Sequence, residues 1–379
     1  MKGFVMRITI VLGPFKPPPP APSGAVEKAW WSLAKAFVAA GHAVTVVGPD
    51  HPDLPRGEGW DGIAYRRLPL LGRSGRTSLD VIRDFGWSRK AKAALPEADV
   101  TVTNCVWLPS LLGRPGSATR GPLGVLEVHV QRFPKGQMRL YRHADSISTV
   151  SAAISEAISR ERPELAARIR VVPNPVDLTV FRTTEECEAR RESSPPAVLL
   201  YTGRIHPEKR LDLLVEAWRR MIEEGASLRL RLVGPWETAA GGGGRALVER
   251  LEALAGPHEF ELPGPLADPA ALAAELRGAD LYCYPSTAAK GEALPVAPLE
   301  AMACGLAPIV ADLPQYAGIL ERGVNASVFD GSLEGLCSAL REVLSDPSRR
   351  RALDRRAAIE ANSLSVESIA SRHLSEWAS

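Results

Sequence analysis

AVLLYTGRIHPEKRLD, residues 197–212, runs an apolar strand into a glycine turn and then into a helical pattern that continues to Glu224. Working outward in both directions, the same alternation recurs. On the N-terminal side, strand-like runs occur at Val5–Leu12, Ala43–Val47, Val100–Thr103, Gly124–Val128 and Ser146–Val150, with a helical pattern at Glu27–Ala40. On the C-terminal side, runs at Val198–Tyr201, Leu228–Val233, Glu259–Leu262, Leu281–Tyr284 and Ala307–Val310 alternate with helical patterns at Leu211–Glu224, Ala270–Arg277, Leu299–Cys304 and Leu333–Leu344. Short apolar strands alternating with helices predict parallel sheets covered on both faces, an α/β chain. The two series predict two Rossmann-like domains facing each other across a cleft.

RTTEECEARRESSPP, residues 182–196, is polar and ends in Pro-Pro, which predicts an interdomain linker. The expected division is therefore 1–181 for a first domain and 197–362 for a second. A C-terminal helix within 363–379, amphipathic over Val366–Trp377, is expected to pack back on the first domain. KPPPPAP, residues 16–22, predicts a stiff loop, and GGGG, residues 241–244, one free to move.

A chain of 379 residues with 45% hydrophobic and 24% charged residues has the balance of a soluble two-domain protein. Its apolar N-terminal run is too short for a signal peptide and meets the prolines without a cleavage site, so a buried strand is expected there. No stretch reaches the ~20 apolar residues of a membrane span. The five scattered cysteines form no C-x-x-C pair, which fits reduced thiols in a bacterial-type cytoplasm. Net charge is +2, yet residues 1–181 carry 24 Lys and Arg against 15 Asp and Glu, and the remainder 22 against 29. The basic front half predicts an anionic acceptor or a peripheral place at the inner membrane surface, solvated arginines being the plain alternative; no nucleic-acid partner is expected.

Two constellations carry chemistry. In the opening stretch, Arg204 and Lys209 lie five apart across a turn at Pro207, which is expected to open a helix. Two cations at a strand end beside a helix N-terminus suit a diphosphate; an ion pair between Arg204 and Glu208 is the alternative. The second is GEALPVAPLEAMACG, residues 291–305, where Glu292 and Glu300 are separated by seven residues and a helix begins near Pro295 or Pro298. A carboxylate accepts two hydroxyl hydrogen bonds well, so a loop glutamate and a helix glutamate can hold separate parts of one extended ligand.

With these residues in view, the chain resembles the family-4 retaining glycosyltransferases of the GT-B architecture. The E-x7-E signature is Glu292–Glu300, continuing to Gly305, and the G-R-x-x-x-x-K element is Gly203, Arg204 and Lys209. The glycine turn usually written G-G-x-E appears as Gly24-Ala25-Val26-Glu27, and the I-P-N-G-V-D-x-x-x-F element as Val172-Pro173-Asn174-Pro175-Val176-Asp177 with Phe181. The resemblance implies that Arg204 and Lys209 hold the diphosphate of a nucleotide-sugar donor, Glu300 the ribose hydroxyls and Glu292 the transferred hexose. Gly24 would let backbone approach donor or acceptor, and His129 in LEVHVQ would stand beside the reacting sugar. A structural hydrogen-bonding histidine is the alternative for that last position. Ala25, Pro175 and Pro295 depart from the family's glycines.

The resemblance implies a hexosyltransferase that retains the anomeric centre, with a glycan, a lipid-linked molecule or a small natural product as acceptor. No cofactor and no metal are expected, since neither H-E-x-x-H nor D-x-D occurs. A sugar-nucleotide epimerase and a non-catalytic nucleotide-sugar-binding protein are the competing readings. A dinucleotide dehydrogenase would need G-x-G-x-x-G after the first strand, where this chain has G-P-F-K-P-P-P-P. Trp30 and Trp31 are candidates for an acceptor pocket or a membrane interface, core packing being the alternative for at least one. The basic residues from Arg66 to Lys92 are candidates for an acidic acceptor or simply for a solvated face.

Overall fold

The apolar runs become strands because neighbouring parallel strands and covering helices bury both of their faces. A computed structural model of the chain describes residues 5–113, 124–187, 189 and 197–378. It divides into two compact units, Met1–Pro175 together with Val366–Ser379, and Val176–Ser365.

The first unit is built on β1 (Arg7–Val11), β2 (Ala43–Pro49), β3 (Gly59–Trp60), β4 (Ile63–Leu68), β5 (Val100–Thr103), β6 (Val125–Val130), β7 (Ser146–Thr149) and β8 (Ile169–Val171), in the order β3-β4-β2-β1-β5-β6-β7-β8. All pairings are parallel except the short β3–β4 hairpin at one edge. Alternation along β1 feeds two cores: Ile8 and Ile10 join Trp30, Phe37 and Trp377 on one face, while Val11 joins Trp87 and Leu108 on the other. The helix Val366–Ala378 packs against α1 (Ala25–Ala39), burying Ile369, His373 and Trp377.

The second unit carries β9 (Ala197–Thr202), β10 (Leu228–Val233), β11 (Glu261–Gly264), β12 (Leu281–Tyr284), β13 (Pro308–Ala311) and β14 (Ser327–Phe329), in the order β11-β10-β9-β12-β13-β14. Every pairing is parallel. This is the doubly wound order, whose strand sequence reverses between β9 and β12; in the first sheet the reversal falls between β1 and β5.

An Ala-Asp pair precedes a strand three times, and each time the aspartate fastens the amide of the first or second residue of the neighbouring strand. Asp99 accepts from Arg7 N, Asp145 from Leu126 N and Asp280 from Val198 N, each at 2.8 Å. The Arg7 guanidinium also holds the Asp99 carboxyl below the usual carboxylate range. A charged acceptor on an orphan strand-end amide fixes where each ladder starts.

The structure corrects two boundaries. Residues 176–181, assigned above to the first domain, belong to the second unit: Val176 N donates to Leu364 O and pairs with Ser365, and Arg277 donates to Val180 O. Of the expected linker 182–196, residues 188 and 190–196 lie outside the described residues. Pro207 does not open a helix. It starts a 3-10 turn, Pro207–Lys209, which Arg210 ends in a left-handed conformation (φ 54°), and the helix Leu211–Glu223 begins after it.

Candidate active site

Glycine lets the loops after β9 and β10 touch. At Gly234 (φ 151°) a Cβ would lie 1.8 Å from Gly203 O, so nothing larger fits at that strand end. Beside this contact the turn carries Lys209 inward, where it is buried and forms an ion pair with Glu292, which is also buried. The Tyr284 hydroxyl donates to the same Glu292 oxygen at 3.1 Å, and the Lys209 ammonium lies 5.6 Å from the centre of the Tyr284 ring. Burial pushes the Tyr284 phenol up, which keeps it a donor toward the carboxylate.

The loop bearing Glu292 is held by Gln315, a fully buried residue on the turn after β13. Its amide nitrogen donates to Glu292 O at 3.1 Å and is shared with Ala288 O and Ala289 O, both at 3.3 Å. Gln315 and Tyr284 were not anticipated. A polar residue in an otherwise apolar strand-end segment, as in P-Q-Y (residues 314–316), was the available signal.

Glu300 sits on the helix Val296–Ala303, which begins after the loop bearing Glu292; it is half-buried, and close enough for its charge to raise the buried Tyr282 phenol after burial itself. Arg204 is more exposed. It pairs with Glu208, as the bland alternative had it, and donates to Gly241 O at 3.0 Å. The glycine run 241–244, expected to be free, is instead pinned: Gly242 N donates to Glu237 O, Gly243 N to Ile205 O and Gly244 N to Trp236 O. The reason is packing, since a Cβ at Gly242 would lie 2.2 Å from the Trp236 backbone. The second unit thus brings Lys209, Glu292 and Arg204 to the ends of β9 and β12, at the sheet's switch point.

In the first unit, Gly24 caps α1, and a Cβ there would meet Glu27 Oε2 at 2.5 Å, so that the Glu27 side chain would have to shift. Burial raises the Glu27 carboxyl above its ordinary value. His129, on β6, is buried, with Nδ1 2.9 Å from Ser148 Oγ and Nε2 2.9 Å from the Gln131 amide nitrogen. Burial, then the charge of His373, lowers its pKa to about 3, so the ring is neutral at ordinary pH. Trp30 packs edge-on to it at 5.0 Å, and Trp31 stacks on Trp60 at 4.6 Å. Both tryptophans are therefore core residues.

Two family models match, glycosyl transferases group 1 over residues 183–360 and glycosyl transferase 4-like domain over residues 24–175. The chain belongs to the family-4 glycosyltransferases of the GT-B architecture. Among curated members, a D-inositol 3-phosphate glycosyltransferase of Thermobispora bispora is 34% identical over 193 residues, 49% of this chain and 44% of that protein. A second protein of that name, from Kineococcus radiotolerans, is 33% identical over 247 residues, 60% and 55% of the two chains. A GDP-mannose-dependent phosphatidylinositol dimannoside mannosyltransferase of Mycobacterium tuberculosis is 31% identical over 193 residues, 50% and 47%. The matched regions span about half the length of these glycosyltransferases. In fold, a sucrose-phosphate synthase of Thermosynechococcus elongatus superposes over 98% of both chains with a TM-score of 0.78 at 18% identity. Anabaena HepE, solved with UDP and glucose, gives 0.71 at 17%, over 98% of this chain and 99% of its own. For this family member, no described helix is long and apolar enough to cross a membrane, and no three metal-ligating side chains cluster among the described residues.

Proposed function

We propose that the protein transfers a hexose from a nucleoside-diphosphate sugar to an anionic, membrane-borne acceptor, retaining the anomeric configuration and using no divalent ion. The observation that carries the donor half is the buried Lys209–Glu292 pair at the switch point of the second sheet. A lysine kept dry has a stronger field than one in water, and the leaving diphosphate gains charge as the glycosidic bond breaks. Lys209, with Arg204 released from Glu208, would take the place a metal fills elsewhere. Glu292 would meet a sugar hydroxyl and Glu300 the ribose. His129, neutral, is assigned to the reacting sugar. That relatives act on inositol phosphate or phosphatidylinositol mannosides, as their names state, supports an anionic acceptor.

The membrane half rests on α2 (Thr77–Ala94). Leu79, Ile82 and Phe85 are exposed on it, as is Leu70 just before it. Residues 66–92 hold eight Lys and Arg against two acidic residues, of which Asp84 is buried. Exposed apolar side chains flanked by cations suit an anionic lipid surface.

Turnover should persist in chelator, and proton NMR of the product should show the donor's anomeric coupling. Activity that magnesium or manganese alone restores, or an inverted centre, would contradict the donor half. The protein should sediment with vesicles containing phosphatidylglycerol and not with phosphatidylcholine alone. Ile82→Glu should abolish sedimentation, and equal binding to both vesicles would contradict the membrane half.

A further inference from the structure

Glu127 has no part in the transfer described above, yet it is a buried carboxylate at the centre of a polar chain. Ser148 Oγ donates to its Oε1 at 2.5 Å and Trp377 Nε1 to its Oε2 at 2.6 Å, and His373 Nδ1 lies 3.3 Å from Oε1. Ser148 Oγ also meets His129 Nδ1, and the Gln131 amide that meets His129 Nε2 donates onward to Asn174 Oδ1 at 3.1 Å.

Counting hydrogens along this chain leaves one solution. An amide nitrogen cannot accept, so His129 Nε2 must, and in a neutral ring the proton then sits on Nδ1. From the other end, the single Ser148 hydrogen is committed to the Glu127 carboxylate, so Ser148 Oγ can only accept, and what it accepts is the proton on His129 Nδ1. The two ends agree. Glu127 itself stays ionised: burial would raise its pKa, but His373, Ser148 and Trp377 hold it down to about 2.

We propose that Glu127 is a positioning residue which, through Ser148, holds His129 as the Nδ1–H tautomer, and that Trp377 and His373 of the C-terminal helix keep the Glu127 carboxylate in place for this. The consequence for transfer rests on the assignment of His129 to the reacting sugar. In this form the ring offers Nε2 as an acceptor, able to take a sugar hydroxyl's hydrogen in place of Gln131's. It also places no positive charge beside a carbon that becomes cationic as the leaving group departs.

The test is nitrogen-15 NMR of the full chain labelled at histidine, with His129→Gln identifying the His129 signals among seven histidines. Wild type should show a protonated Nδ1 and a bare Nε2. Ser148→Ala should populate the other tautomer, and Ser148→Thr, which restores the hydroxyl, should return it. Turnover should follow, falling roughly tenfold in Ser148→Ala with nucleoside-diphosphate affinity unchanged. A wild-type ring protonated at Nε2, or a tautomer indifferent to Ser148→Ala, overturns the proposal, and the wild-type spectrum decides this even if a variant does not fold. A tautomer that shifts while turnover stays constant upholds the positioning chain and removes His129 from the reacting centre.

Discussion

Lys209 and Glu292 are each buried and each other's main electrostatic partner. Removing one leaves a charge in a dry site, so Lys209→Met should cost about 3–5 kcal/mol of stability, whereas Lys209→Met with Glu292→Gln should recover most of it. Urea denaturation of the two single variants and the double variant measures the coupling; additive losses would mean the pair is not coupled. The histidine network makes a different prediction. The unfolded chain protonates His129 near pH 6.5, whereas the folded chain waits until about 3. Between those values the unfolded state binds more protons, so stability falls as pH falls, by up to ~1.4 kcal/mol per unit. Below the ordinary glutamate range Glu127, with its pKa near 2, adds loss of the same sign. Thermal melts from pH 7 to 5 should therefore be flatter in His129→Gln than in wild type. The places of Arg204, Lys209, Glu292 and His129 were legible because polar residues at or near the ends of apolar strands have few other reasons to be there. Glu127, Ser148 and Gln315 were not, because their partners lie 19 to 250 residues away in sequence and only folding brings them close.

At the scale of elements, the strands buried on both faces stand out as unbroken apolar runs, and those are the ones the sequence reveals. β4 escapes because IAYRRL buries Ile63 and Tyr65 while Ala64 and Arg66 face water, and β14 because three residues make no pattern. The helix Thr77–Ala94 escapes because its outward side mixes cations with Leu79, Ile82 and Phe85, blurring the 3.6-residue period. The glycine run was misjudged because composition reports freedom in the unfolded chain, not the contacts made after folding. Gly242→Ala should accordingly cost about 1–3 kcal/mol through its clash with Trp236, and should weaken diphosphate binding by loosening the Gly241 carbonyl that holds Arg204. Calorimetric titration with UDP and GDP reads the second effect; unchanged stability and affinity would return the segment to the status of a slack loop.

At the scale of the molecule, the C-terminal helix belongs to the first unit although the second lies between them in sequence. It buries Ile369 and Trp377, each worth about 1.5–3 kcal/mol, and it carries two of the partners of Glu127. Ending the chain at Ser365 should remove an amount comparable with a typical domain's whole stability of about 5–15 kcal/mol. Limited proteolysis should then digest the first unit while residues 197–361 resist; equal resistance of both units would show that the helix is dispensable.

The path of the chain through the two units has a consequence for synthesis. It leaves the first at Pro175 and returns at Val366, and the two crossing points are tied together by the Val176–Ser365 bridge. On a ribosome, residues 176–365 form a continuous stretch that can fold as soon as it emerges. The unit begun before it stays incomplete, with β6 already made and the Glu127 carboxylate lacking Trp377 and His373. The histidine assigned to the reacting sugar would thus acquire its final setting only after the whole second unit has left the tunnel, which makes translation order, and not only sequence, part of how this site is assembled.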